Sequence, residues 1–116
     1  MANQFRITAI IQRKITTVQY PVISEDLVAY RQINYINTGK VVSSETHMSP
    51  DNLSKTLITT FASIEDYDAY KDDATVKEST TLRNQYLAAS GMTLNLLLQE
   101  LDTSGNPLST KVVKLV

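Results

Sequence analysis

The sequence predicts an α+β domain in which helices cover one face of an antiparallel sheet. Three observations carry that prediction. Several segments alternate apolar and polar residues with period two, as half-buried strands do. Ser24 and Ser63 are each followed by acidic residues and then by apolar residues at helical spacing, which marks two helix starts. Two loops rich in turn formers, Ser49-Pro50-Asp51-Asn52 and the stretch 102–107, each separate a pair of strand-like runs. At 116 residues and 12.9 kDa, one domain over residues 1–116 is expected.

The first strand spans residues 5–12, with Phe5, Ile7, Ala9 and Ile11 on one face and Arg6, Thr8 and Gln12 on the other, where Ile10 intrudes. Residues 15–22 also have strand composition up to Pro21, either as a continuation of the first strand or as its partner. Ser24 then caps a short helix, Glu25 and Asp26 suit its positive end, and Leu27, Tyr30, Ile33 and Ile36 form a stripe that ends at Gly39. The β-branched content of residues 31–36 permits an extended path as well; the stripe favours the helix. Residues 41–48 and 53–62 read as a β-hairpin.

Ser63 opens the clearest helix, with Asp66 three residues on as a short form of the capping box and Ile64, Tyr67 and Tyr70 as its inner stripe. Asp73 is placed to cap a second helix whose inner residues are Val76, Leu82, Tyr86 and Leu87, and Ser90-Gly91 stops it. Residues 92–101 form the next strand: Met92, Leu94, Leu96 and Leu98 share a face, and Leu97 and Leu101 lie on the other. A last strand covers residues 108–116. The order β-α-β-β-α-β is the ferredoxin-like split βαβ, with an extra C-terminal strand.

Composition narrows the function classes. Hydrophobic residues make up 42%, charged residues 20%, and the net charge is -1, which excludes a disordered acidic tail or a strongly basic nucleic-acid arm. The absence of cysteine removes thiolate zinc sites, disulfides and a cysteine nucleophile. No apolar run approaches the length of a membrane span, and residues 1–6 lack a signal peptide's order, so the expectation is a cytoplasmic protein without membrane contact.

The stretch Phe61-Ala62-Ser63-Ile64-Glu65-Asp66-Tyr67-Asp68-Ala69-Tyr70 resembles the dimeric α+β barrel proteins, among them the antibiotic-biosynthesis-monooxygenase-like superfamily. Asp72-Asp73-Ala74-Thr75-Val76, Tyr86 and the Gly91-Met92-Thr93 entry into a strand are similar to that pattern, so the resemblance covers roughly residues 41–99. It implies a homodimer in which two sheets pack face to face. It implies no single activity, because members include oxygenases and haem degraders. A haem-degrading member needs a supported histidine ligand and usually a tryptophan; this chain has no Trp, and its one histidine, His47, lies in the hairpin.

The candidate site residues are few. Counting from Val41, period two puts Ser43, Glu45 and His47 on one face, and Glu45 with His47 is a pair able to do acid–base work if that face is inward. A lone strand histidine is more often a surface group. Tyr30, Tyr35 and Tyr67 are candidates for binding a small ligand through their hydroxyls, against the plainer reading that such aromatics pack the core. Glu65, Asp66, Asp68, Asp72 and Asp73 read as a solvated helix face, since calcium-loop spacing is absent. No metal site and no cofactor are expected. A phosphate loop, a nucleophile elbow, a zinc helix and the aromatic pair of an RNA-binding sheet are also missing.

Apolar residues on both strand faces predict a homodimer through the open sheet face, with residues 108–116 available to cross to the partner. The first 40 residues carry five basic and two acidic side chains, and residues 41–110 carry four and ten, an asymmetry that suits complementary ends in an oligomer better than nucleic acid. Three functions follow. The first is a non-catalytic dimer that binds a small apolar or aromatic molecule, or simply assembles. The second is a cofactor-independent monooxygenase-like enzyme using a tyrosine or His47. The third is a structural or accessory protein, for example of a virus. One histidine and no cysteine lean the reading away from an enzyme.

Overall fold

The computed structural model describes residues 3–116. It contains strands β1 (Phe5–Gln12), β2 (Val41–Met48), β3 (Ser54–Phe61), β4 (Thr93–Leu101) and β5 (Pro107–Lys114). The helices are α1 (Glu25–Arg31), α2 (Ile64–Asp72) and α3 (Ala74–Ala89), and a π-helical turn, Gln32–Ile36, follows α1. The strands form one open sheet in the order β2-β3-β1-β4-β5, every neighbouring pair antiparallel. The expected α+β class and antiparallel sheet are present. The C-terminal strand lies on the edge of its own sheet, beside β4.

Side-chain alternation in β1 divides the sheet into two faces. Phe5, Ala9 and Ile11 are buried, and register places Phe61, Leu57, Leu94 and Leu96 on the same side. The core is two clusters on that side. One gathers Phe5, Tyr35, Val41, Phe61 and Val76; the other gathers Ala9, Ile11, Leu87, Met92 and Leu94. A fully buried residue of leucine size contributes about 1.5–3 kcal/mol, so Leu87 and Leu94, both at 0% exposure, are the anchors of the second cluster.

Local capping explains the helix starts. The Ser24 hydroxyl accepts from the Leu27 amide, that of Ser63 accepts from Asp66, and the Asp73 carboxylate accepts from Thr75. Gly39 and Gly91 both hold positive φ, at 80° and 73°, where a side chain would be strained. The hairpin turns at Asn52, φ 60°, with the Asp51 carboxylate accepting from the Ser49 hydroxyl and the Leu53 amide.

Several expectations are corrected. Residues 15–22 form no strand; Arg13 and Tyr20 tie this segment down by donating to Val18 O and Asn52 O. In the first helical segment the Asn37 amide bonds to Gln32 O, a spacing of five that slips the helical phase. Tyr35 therefore enters the core at 5% exposure, while Ile33 stays 63% exposed. In α2, Ile64 is exposed and Tyr67 and Tyr70 carry the packing. In α3 the inner stripe runs Val76–Thr80–Arg83–Leu87, so Leu82 and Tyr86 are exposed. A bulge between Val41 and Ser43 breaks the alternation of β2, burying Val41 against Phe61 and turning Ser43, Glu45 and His47 to the opposite face. Leu101 is buried rather than part of an open apolar face.

Candidate functional site

The helix layer and the sheet do not close on each other completely. A groove of about 1280 Å³ lies between them, floored by Ala9, Leu57 and Leu96 and roofed by α1, α3 and the segment around Val22. The sequence of α3 explains the opening. Val76 joins one core cluster and Leu87 the other, eleven positions and roughly 16 Å apart along the helix. Between these anchors the inner stripe offers Thr80 and Arg83, neither of which packs down as a leucine would. The floor of the same groove carries the small Ala9. Polar residues over a small one leave space.

Tyrosines gather at one end. The hydroxyls of Tyr30 and Tyr35 both donate to the same Asp73 oxygen, at 2.6 and 2.5 Å, while its other oxygen caps α3. Two phenol donors and the helix cap hold the Asp73 carboxyl below its ordinary pKa. The hydrogen bond to Asp73 raises the Tyr30 phenol, and burial, then the same carboxylate, raises Tyr35. Tyr67 stacks on Phe5 with ring centroids 5.1 Å apart, and Tyr70 meets Tyr35 edge-on at 4.8 Å. Burial pushes both of these phenols up as well.

Of the tyrosines singled out in the sequence, Tyr30 and Tyr67 line the groove, and Tyr35 lies behind them in the core. The hydroxyls of Tyr30 and Tyr35 are already spent on Asp73, so their first role is to fasten α1 and the π turn to the start of α3. Sequence reasoning overlooked Arg31 and Arg83. Arg31, the last residue of α1, sits with its guanidinium 5.7 Å from the Tyr70 ring centre, and its Nε is buried without a partner among the described residues. Among the described residues Arg83 donates only to Asn84 Oδ1, at 3.2 and 3.1 Å, and burial lowers its pKa. Both line the groove. The signal for Arg83 was in the sequence: counting 4, 3 and 4 from Val76 to Leu87 passes through it.

His47 and Glu45 are brought together, Nε2 to Oε2 at 3.1 Å, with side chains 61% and 60% exposed. Register aligns them with Thr56 and Ile58, and so with Ile10 and Thr8, on the face away from the helices. The pair is outside the groove. Among the described residues no group of three His, Cys, Asp or Glu side chains is arranged to hold a metal ion, and no helix is long and apolar enough to cross a membrane. No protein-family model matches the chain, and neither a curated protein nor a solved structure is found to be similar to it.

Proposed function

We propose that this protein is a non-catalytic binding module that takes a small apolar or aromatic molecule in the groove between helices and sheet. The groove itself carries the reading: about 1280 Å³ of largely apolar space within a 116-residue chain exceeds what an ordinary ligand pocket needs. A strand order compatible with a ferredoxin-like arrangement leaves the second face of the sheet without a helix layer. Ile10, Ile58, Leu97 and Val112 share that face, and we assign it to a homodimer contact of the dimeric α+β barrel kind. The one residue pair suited to proton transfer near neutral pH, Glu45 with His47, stands across the sheet from the groove, which favours binding over catalysis.

Titration with Nile red, a neutral apolar dye, tests the groove. Its fluorescence is expected to rise saturably with the wild type and to be lost in Leu57→Trp, which fills the floor. Circular dichroism confirms that the variant is folded. Dye binding that Leu57→Trp leaves unchanged would move the site elsewhere and end this reading.

A further inference from the structure

We propose that the groove ligand is an amphipathic carboxylate, its apolar body on the floor of Ala9, Leu57 and Leu96 and its anionic head held by the guanidinium groups of Arg31 and Arg83. The inference rests on the groove reading and adds the ligand's chemical class. An arginine drawn into a protein interior normally meets a carboxylate, because a buried charge without a partner is costly. Among the described residues the ion pairs are Glu45–His47 and Asp68–Lys71, and neither involves an arginine. Asp26 and Glu78 also line the groove, yet neither comes within ion-pair distance of Arg31 or Arg83.

The two arginines line one groove from different elements. Arg83 lies on the inner stripe of α3 and lines the groove, and the end of α1 lays Arg31 beside Tyr70. Arg31, Arg83 and Tyr70 all line the same groove. Among the described residues each retains guanidinium donors with no partner: Arg31 Nε is buried and unsatisfied, and Arg83 spends two nitrogens on a single amide oxygen. Guanidinium groups bind carboxylates with paired, charge-assisted hydrogen bonds, so unspent donors over an apolar floor complement an acid with an apolar tail. A neutral apolar molecule would leave both charges as they are.

Displacement of Nile red by decanoate and by decanol, which share a tail and differ in the head, tests the proposal at neutral pH. Decanoate is expected to displace the dye at about tenfold lower concentration than decanol, the scale of charge-assisted hydrogen bonds. Arg31→Gln and Arg83→Gln, made separately, should each shrink that preference and leave decanol unchanged. Equal displacement by both compounds would overturn the carboxylate and leave the groove reading standing. A preference that survives both substitutions would also overturn it, since the head would be read elsewhere. Failure of the dye to bind removes the groove reading and this one together. Loss of dye binding with rising protein concentration, as the mass doubles in light scattering, would seat a second copy in the groove and overturn the proposal too.

Discussion

The two faces of the sheet are made from the same strands and treat their apolar residues in opposite ways. On the helix side, Ile11, Phe61, Leu87 and Leu94 are sealed at 1% exposure or less, around a groove that the helices bridge but do not fill. On the far side, Ile10, Ile58, Leu97 and Val112 stand among Thr8, Thr56, Asn95 and Thr110, and Val112 is 65% exposed. Stability therefore comes from two anchor clusters on one face. Two surfaces remain open: the gap between those clusters, and the mixed apolar and threonine-rich face opposite.

The largest effect should come from the anchors. Leu87→Ala empties a fully buried site where α3 meets β4, and a loss of about 2–5 kcal/mol in urea unfolding is expected. Leu97→Ala, on the far face, should cost clearly less in the monomer. Equal losses would mean that the two faces are equally covered, and the contrast drawn between them would fall.

Asp73 sharpens the comparison next, because one carboxylate fixes the helix layer in three ways. Asp73→Ala removes the cap of α3 and leaves the Tyr35 hydroxyl, in a residue only 5% exposed, without its acceptor; about 1–2 kcal/mol should be lost. The pH dependence has a definite sign at each end. The Asp73 pKa is depressed in the folded protein, so its contribution is present above the unfolded value of about 4 and disappears as pH falls through the folded value. The Tyr35 pKa is raised, so its contribution is complete below about pH 10 and disappears as pH rises beyond it. Asp73→Asn should flatten the acid limb and keep most of the alkaline one, since burial is the main cause of the Tyr35 shift. An acid limb unchanged in Asp73→Asn would assign it to other carboxylates.

The far face is tested by charge. Leu97→Lys places an ammonium in the middle strip of that face, opposite Thr8 and Val112, where a monomer keeps it in water. In a dimer joined there, two such charges would be buried near the symmetry axis. Light scattering is expected to show the wild type at twice 12.9 kDa and the variant at the monomer mass. A wild type already at the monomer mass would remove the dimer.

What the sequence disclosed follows from which signals are local. Strand alternation in β1 and β4, the serine caps and the Pro50-Asp51-Asn52 turn depend on neighbours a few positions apart, and each appears where expected. The errors come from phase. A single π turn moved Tyr35 into the core and left Ile33 outside, and a single bulge put Val41 and His47 on opposite faces. Neither irregularity has a residue pattern of its own in the sequence. The arginines were missed for another reason. A hydrophobic stripe favours Leu82 over Arg83, whereas Val76 and Leu87 fix an inner line of α3 that passes through the charge.

The smallest effect belongs to the pair that looked most catalytic in the sequence. Glu45 and His47 sit on the edge strand β2, three-fifths exposed, with solvent on the side that the bulge turned outward. An exposed ion pair gains little over two hydrated groups, and salt screens what remains, so Glu45→Gln should change stability by less than about 0.5 kcal/mol. The same substitution should leave Nile red binding unchanged, because the groove lies beyond the sheet. A change in dye affinity on Glu45→Gln would couple the two faces, and the division of labour between them would have to be abandoned.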